Sequence, residues 1–396
     1  MKNIVFMIIN MNVGGTEKAL LTMLNELPKD KYHVTVLMLE KSGEFLKYIP
    51  NWVNVRVLEE YKELKPYIQE PPKHLAKKLF KEKKYIKGIK LLISYGISKI
   101  KKDNSYYYKH ILKDIKPIDH LYDVAVAYAG PMEFITYFIA NKINAKKKLQ
   151  WIHFDVTKIG FNKNFAKNIY TKFHKIFVVS KEAKKSLINE IPELEGKTEE
   201  FFNIVSSDLV KKMANEGESF NDGFEGMRIL TVGRLAKQKG QDLTIPVLAR
   251  LKADGYKVRW YCIGEGSART EYEEIIEDLG VKEDYVLMGA HANPYPYVRD
   301  CDMYVQSSRH EGYCITVAEA RCFDNPIISS KFTGAAEQIE HEKNGLLVNL
   351  NSEEMYEAIK RLIHCEDLKN TIKSNLNHNI DTTKEIEKLN KVAELA

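Results

Sequence analysis

A chain of 396 residues with 44% hydrophobic and 29% charged side chains is too long for one ordinary core and too apolar to be disordered, so two soluble α/β domains are expected. No apolar run approaches the roughly 18 residues of a membrane-spanning helix. The net charge of +6 is unevenly spread: residues 1–205 carry 36 Lys/Arg against 22 Asp/Glu, and the remainder 24 against 32. Such a split suits a first half that faces a membrane surface, a nucleic acid or a phosphorylated substrate, although a lysine-rich bias would also contribute, since only 10 of the 60 basic residues are Arg.

In chain order, the opening MKNIVFMIINMNVGG ends its apolar run in a glycine turn without a small-residue cleavage site. It therefore reads as a first strand, IVFMIIN (4–10), rather than a signal peptide. A helix, TEKALLTMLNELP (16–28), and a strand, HVTVLML (33–39), follow. This β-loop-α-β unit implies a parallel, doubly wound sheet. Further strands are expected at VNVRVL (53–58), DVAVAYA (123–129), KKLQWIH (147–153) and KIFVVS (175–180). Between them, residues 62–116 hold 16 Lys against five acids. Leu75, Leu79, Ile86, Ile89, Ile93, Ile97 and Ile100 recur there at helical spacing, interleaved with lysines. The pattern is that of a basic amphipathic helix, either packed on the sheet with a solvated lysine face or lying on a membrane.

A polar stretch, ANEGESFNDGFEG (214–226), reads as a linker. Beyond it, MRILTVGRL (227–235), VRWYCIGEG (258–266), DYVLMGA (284–290), MYVQSS (303–308), NPIISSK (325–331) and GLLVN (345–349) alternate with helical segments. The expected domains are 1–205 and 206–375, with 376–396 a terminal helix returning to the first. Two such domains, strand C-termini facing each other, would enclose a ligand cleft. The five cysteines lie in the second half without C-x-x-C spacing and are expected to be reduced core thiols of a cytoplasmic protein.

Several stretches carry chemistry. Gly14 and Gly15 let the backbone approach an anion at a helix start; Glu40 would suit a ribose, but a G-x-G-x-x-G turn is absent. Arg234 and Lys239, in VGRLAKQKG (232–240), together suit a diphosphate. Gly264 and Asn293 sit in flexible loops after the next two strands, where a flat heterocycle would fit. In SRHEGYCITVAEA (308–320), a strand ends at Ser308, Glu311 follows in a turn, and a helix begins near Ile315 with Glu319 in an early turn. Both glutamates can then reach one ligand, with the amides near Thr316 and Val317 on a phosphate. A glycosidase carboxylate pair competes for them, but it has no use for Arg234 and Lys239. Asp300 and Asp302 spell a D-x-D, which elsewhere holds a metal ion; just before a strand they read as a turn. His153, with Asp155, closes a strand of the first domain and would point into the cleft.

Taken in order, VGRL with K-G five residues on, NPYPY, SSRHEG with E-x7-E, and NPIISSKFTGAAEQI with NGLLV resemble the retaining, nucleotide-sugar-dependent glycosyltransferases of the E-x7-E family four. The resemblance covers nearly the whole chain and is densest over 228–348. It implies a GT-B fold of two Rossmann-like domains facing across a cleft. It also implies a hexose donated by a nucleotide diphosphate, UDP-linked, to a hydroxyl of a lipid-linked or growing surface glycan, with retention and without a metal or other cofactor. The resemblance gives Arg234 and Lys239 the donor diphosphate, Glu319 the ribose and Glu311 the transferred sugar. Gly15 would close over the phosphates, the amides of Ile315, Thr316 and Val317 would complete that site, and His153 would stand beside sugar and acceptor. A peripheral place at the inner face of a membrane follows from the basic segment, and no nucleic-acid partner is expected, since aromatic and Arg residues are not interleaved. YCITVA between the glutamates and Arg321 after them depart from the family's usual residues. A sugar-nucleotide epimerase of the same fold and a non-catalytic UDP-sugar-binding module are the alternatives.

Overall fold

The computed structural model describes residues 1–376 and 381–396. These form two compact units, the first built from Met1–Asn12, Leu24–Phe201 and Glu385–Ala396, the second from Val13–Met23 and Phe202–Lys384. In the first unit the described strands are β1 (Lys2–Ile8), β2 (Tyr32–Met38), β3 (Asn54–Val57), β4 (Ile118–Gly130), β5 (Ile143–Ile152), β6 (Lys175–Val178) and β7 (Thr198–Glu200). They pair parallel in the order β3-β2-β1-β4-β5-β6-β7. Ile4 to Ile8 are all fully buried, as a central parallel strand covered on both faces requires.

The second unit repeats the design with β8 (Met227–Val232), β9 (Val258–Ile263), β10 (Tyr285–Gly289), β11 (Met303–Gln306), β12 (Ile327–Ser330) and β13 (Leu346–Val348). Their order is β10-β9-β8-β11-β12-β13, again parallel. The order reverses between β8 and β11. The loops leaving those two strands diverge there, the place where doubly wound sheets open a crevice for ligands.

Every strand expected from the sequence is present. β7, a polar three-residue edge strand, was not expected, and β4 begins five residues before the apolar run DVAVAYA. The stretch expected as a linker starts inside a helix, Ser207–Asn215, whose first turn is capped by the Ser206 hydroxyl. The helix Ile386–Glu394 belongs to the first unit, where Leu389 is fully buried and Asn390 accepts a 2.5 Å hydrogen bond from the Tyr32 hydroxyl. Residues 377–380 of the expected terminal segment lie outside the described residues. Cys365 is exposed, against the expectation of five core thiols; the other four are buried.

The basic segment departs most from expectation. Instead of one amphipathic helix it forms Tyr61–Gln69, Pro72–Lys81, Tyr85–Lys101 and Ser105–Ile111, and Lys83 turns the chain with a left-handed φ of 60° between the second and third. Leu75, Ala76, Leu79 and Leu91 pack with Tyr107 into a satellite core. The isoleucines of the third helix do not join it and stand exposed. Among the described residues no helix is long and apolar enough to cross a membrane.

Candidate functional site

The candidate residues of the second unit gather at the β8/β11 switch point. Gly233 extends β8 by donating its N–H to Ile263 O at 2.9 Å, and the chain then turns through Arg234 into a short 3-10 turn, Lys237–Lys239. Gly240 follows in the left-handed region, φ 69°, with its Cα pressed against the Ser307 carbonyl, where any side chain would collide. The loop after β11 is tied to this turn. Ser307 Oγ donates to Lys239 O at 2.9 Å, and the Arg309 guanidinium donates two 2.7 Å bonds to the Asp242 carboxylate and a third to Lys237 O.

Within this frame Lys239 Nζ donates to Glu311 Oε1 at 2.5 Å, and Ser308 Oγ donates to the same oxygen at 2.6 Å. Gln306 Nε2 donates to Ser308 Oγ at 2.8 Å, while Gln306 Oε1 accepts from Tyr304 and Thr316, so a polar relay along β11 fixes the glutamate. Glu311 is only 7% exposed. Burial alone would lower the Lys239 pKa; the Glu311 charge outweighs it and holds the ammonium above its usual range. Arg234, by contrast, is exposed and its guanidinium makes no hydrogen bond or ion pair among the described residues. One fixed cation and one free cation thus flank the same turn. That is an arrangement suited to an anion carrying two phosphates.

Glu319 lies in the helix Ile315–Ala320 and is buried. Burial raises its pKa, against which Lys18 and a 2.6 Å bond donated by the Tyr295 hydroxyl act in the opposite direction. Lys18 is in the segment Val13–Met23 that groups with this unit, and its ammonium stands 5.0 Å from the centre of the Tyr295 ring. Gly14 and Gly15 open the same segment, Gly15 as the first residue of the helix Gly15–Glu26. Gly264, φ 150°, packs against the Gly233 carbonyl beside Arg234 and so sits in the cluster.

Three expected contributors are engaged otherwise. Asn293 donates its amide to Met213 O at 2.8 Å, which ties the loop after β10 to a neighbouring helix. The Val317 N–H is spent on Cys314 O at 3.1 Å, because Cys314 precedes the helix in a left-handed conformation, φ 62°, and tightens its first turn. Ile315 and Thr316 are left as the first-turn amides without a backbone acceptor among the described residues. Ser308 acts through Glu311 rather than standing free. Asp302 caps β8, accepting from Arg228 N at 2.8 Å, and Asp300 pairs with Arg299, which is the turn role read from the sequence. Among the described residues no group of three or more His, Cys, Asp or Glu is placed to hold a metal. Sequence reasoning missed Gln306, Arg309, Asp242 and Tyr295; the last stands in the NPYPY motif, which offered a signal.

His153 is in the first unit, just past β5. It is buried, and its Nε2 lies 2.6 Å from Tyr128 O. A carbonyl only accepts, so Nε2 carries the proton and Nδ1 is the basic face. Burial lowers its pKa to about 4, against the small opposing pull of that carbonyl. The unfolded chain, with an ordinary histidine near 6.5, takes up a proton first as the pH falls. The linked stability is therefore fully present above pH 6.5 and is lost as the pH falls from there towards 4, by roughly 3 kcal/mol in all. Melting midpoints measured from pH 7 to pH 4 are expected to fall less steeply for His153→Gln than for the unaltered chain; parallel slopes would refute the assignment.

Known proteins similar to this chain bear on its family and fold. The sequence profile of glycosyl transferases group 1 matches residues 221–378. The chain is 28% identical over 215 residues to the N-acetylgalactosamine-N,N'-diacetylbacillosaminyl-diphospho-undecaprenol 4-alpha-N-acetylgalactosaminyltransferase of Campylobacter jejuni, covering 54% of this chain and 57% of that one. It is 25% identical over 281 residues to the poly(ribitol-phosphate) alpha-N-acetylglucosaminyltransferase of Staphylococcus aureus, covering 69% and 54%. The matches thus span little more than half the length of these curated relatives. In fold it is similar to Anabaena HepE in complex with UDP-glucose (TM-score 0.71, 17% identity, both chains covered in full). It is similar also to a point mutant of S. aureus TarM in complex with fondaparinux, alpha-GlcNAc-glycerol and UDP (TM-score 0.70, 16% identity, 99% and 100% covered). The fold is GT-B, and residues 221–378 match the sequence profile of the glycosyl transferases group 1.

Proposed function

We propose that the protein is a retaining glycosyltransferase that moves a hexose from a UDP-linked donor to a hydroxyl of a lipid-linked or growing surface glycan, at the cytoplasmic face of a membrane. The observation that carries the reading is the buried Lys239–Glu311 pair beside the free guanidinium of Arg234, at the switch point of the second sheet. Relatives named for transfer to an undecaprenol-diphosphate-linked glycan and to poly(ribitol phosphate) support the acceptor class. UDP and UDP-glucose complexes of structural neighbours support the donor class.

In this reading Arg234 and Lys239 hold the donor diphosphate, with Gly14 and Gly15 and the amides of Ile315 and Thr316 closing around it. Gly264 leaves room beside the nucleotide. Glu311 takes hydroxyls of the sugar and Glu319 those of the ribose. Negative charge grows on the diphosphate as the glycosidic bond breaks, and cations fixed in advance stabilise it more in the transition state than before. His153, neutral across the working pH range, would contact sugar or acceptor through hydrogen bonds rather than as a charge. The leaving group is neutralised by side chains, so no metal ion or other cofactor is required.

UDP is expected to raise the melting midpoint of the intact chain by about 5 °C or more at a hundredfold excess over its dissociation constant. No shift with UDP or any other nucleoside diphosphate would remove the reading.

A further inference from the structure

The helix Tyr85–Lys101 is amphipathic the wrong way round for a protein in water. Its inward face is made of Gly88, Leu91, Ser94 and Ser98, the two serines bonding back to Leu91 O and Tyr95 O at 2.8 Å. Its outward face carries Ile86, Ile89, Ile93, Ile97 and Ile100, exposed by between 40% at Ile97 and 81% at Ile100. At 100° per residue these five fall within about 80° of arc, a ridge roughly 21 Å long. Lys87, Lys90 and Lys101 lie along one edge of the ridge, and the helix holds no Asp or Glu. Isolated exposed apolar residues are ordinary; a continuous isoleucine ridge is not.

We infer that this ridge lies in the surface of a bilayer that carries anionic lipid, the isoleucines at the acyl boundary and the lysines among the headgroups. Two features decide the occupant. An apolar stripe bordered by lysine matches an anionic interface in both shape and charge. A second copy of the helix would set lysine edge against lysine edge with no carboxylate on either helix to compensate. The neighbouring helix Pro72–Lys81 adds exposed Lys73, Lys77 and Lys81, while its Lys78 is paired with Glu70 at 2.8 Å, so the field around the ridge is positive as well. This inference deepens the location contained in the proposed function and rests on that reading only there. Vesicle binding is measured without turnover, so failure of one is distinguishable from failure of the other.

The test is sedimentation of the intact chain with vesicles of phosphatidylcholine alone or with 30% phosphatidylglycerol added, a composition chosen to be about one-third anionic. Binding to the mixed vesicles is expected. Ile89→Gln/Ile93→Gln/Ile97→Gln should weaken it by about 30-fold or more, with the melting midpoint unchanged because the ridge is exposed. Lys87→Gln/Lys90→Gln should weaken it by about tenfold and flatten its salt dependence. Equal binding by the triple-Gln variant, equal binding to both vesicles, or a dimer in solution that the triple-Gln variant abolishes while vesicles are ignored would each overturn the inference.

Discussion

Replacing Lys239 by methionine is expected to lower turnover of the sugar donor by about 10²- to 10³-fold and to destabilise the second unit by about 2 kcal/mol. The two effects have different origins. The loss of turnover comes from removing a fixed cation from the leaving diphosphate. The loss of stability comes from leaving Glu311 buried with only the Ser308 hydroxyl to answer its charge. Fully buried pairs cost about 3–5 kcal/mol when broken, and this one is scaled down because the lysine side chain keeps 18% of its exposure. Lys239→Met/Glu311→Gln separates the two, since it removes the orphaned charge together with its partner. Its melting midpoint should return most of the way while turnover stays low. Recovery of turnover together with stability would make the pair a structural clip and nothing more.

Arg234→Ala is expected to reduce turnover by about 100-fold or more with stability changed by less than about 0.5 kcal/mol. The guanidinium is exposed and holds nothing in place, so its removal leaves the fold intact. Arg234→Lys should restore only part of the rate, because an ammonium keeps the charge but cannot make two parallel bonds to a phosphate. Steady-state turnover and melting midpoints of the two variants check this directly. Wild-type turnover in Arg234→Ala would place the diphosphate elsewhere.

These two side chains also mark where sequence reasoning reaches and where it stops. Both could be picked out as cations in a loop after an apolar strand, because parallel strands buried on two faces read as unbroken apolar runs and the loops between them carry the polar chemistry. Their different states could not. The partner of Lys239 is 72 residues away, and only the side-by-side placement of β8 and β11 brings Glu311 to it. The same holds for Arg309 and Asp242, which pair across 67 residues to bind the two loops together. Asn293 stood in a legible motif, yet which backbone carbonyl its amide meets depends on a helix 80 residues earlier. Local signals failed where no residue announces the event. Lys83 breaks the basic segment in a left-handed conformation that glycine or asparagine would have flagged, and β7, Thr-Glu-Glu at a sheet edge, has no apolar run to show. Helical spacing in Tyr85–Lys101 was real, but periodicity gives the angle between residues and not which side faces the protein. There the serines face in and the isoleucines out.

The central claim is that the Lys239–Glu311 pair and Arg234 serve transfer from a nucleotide sugar, and release of nucleoside diphosphate from a panel of nucleotide sugars tests it most directly. The assay is run with excess chelator, with and without a polyprenyl-diphosphate-linked glycan. The account predicts that at least one UDP-sugar releases UDP, faster with acceptor present and undiminished by chelation, and that Glu311→Gln and Lys239→Met each slow the release by about 100-fold or more. Tight UDP binding with no release from any donor, or interconversion of the donor sugar without an acceptor, would contradict it.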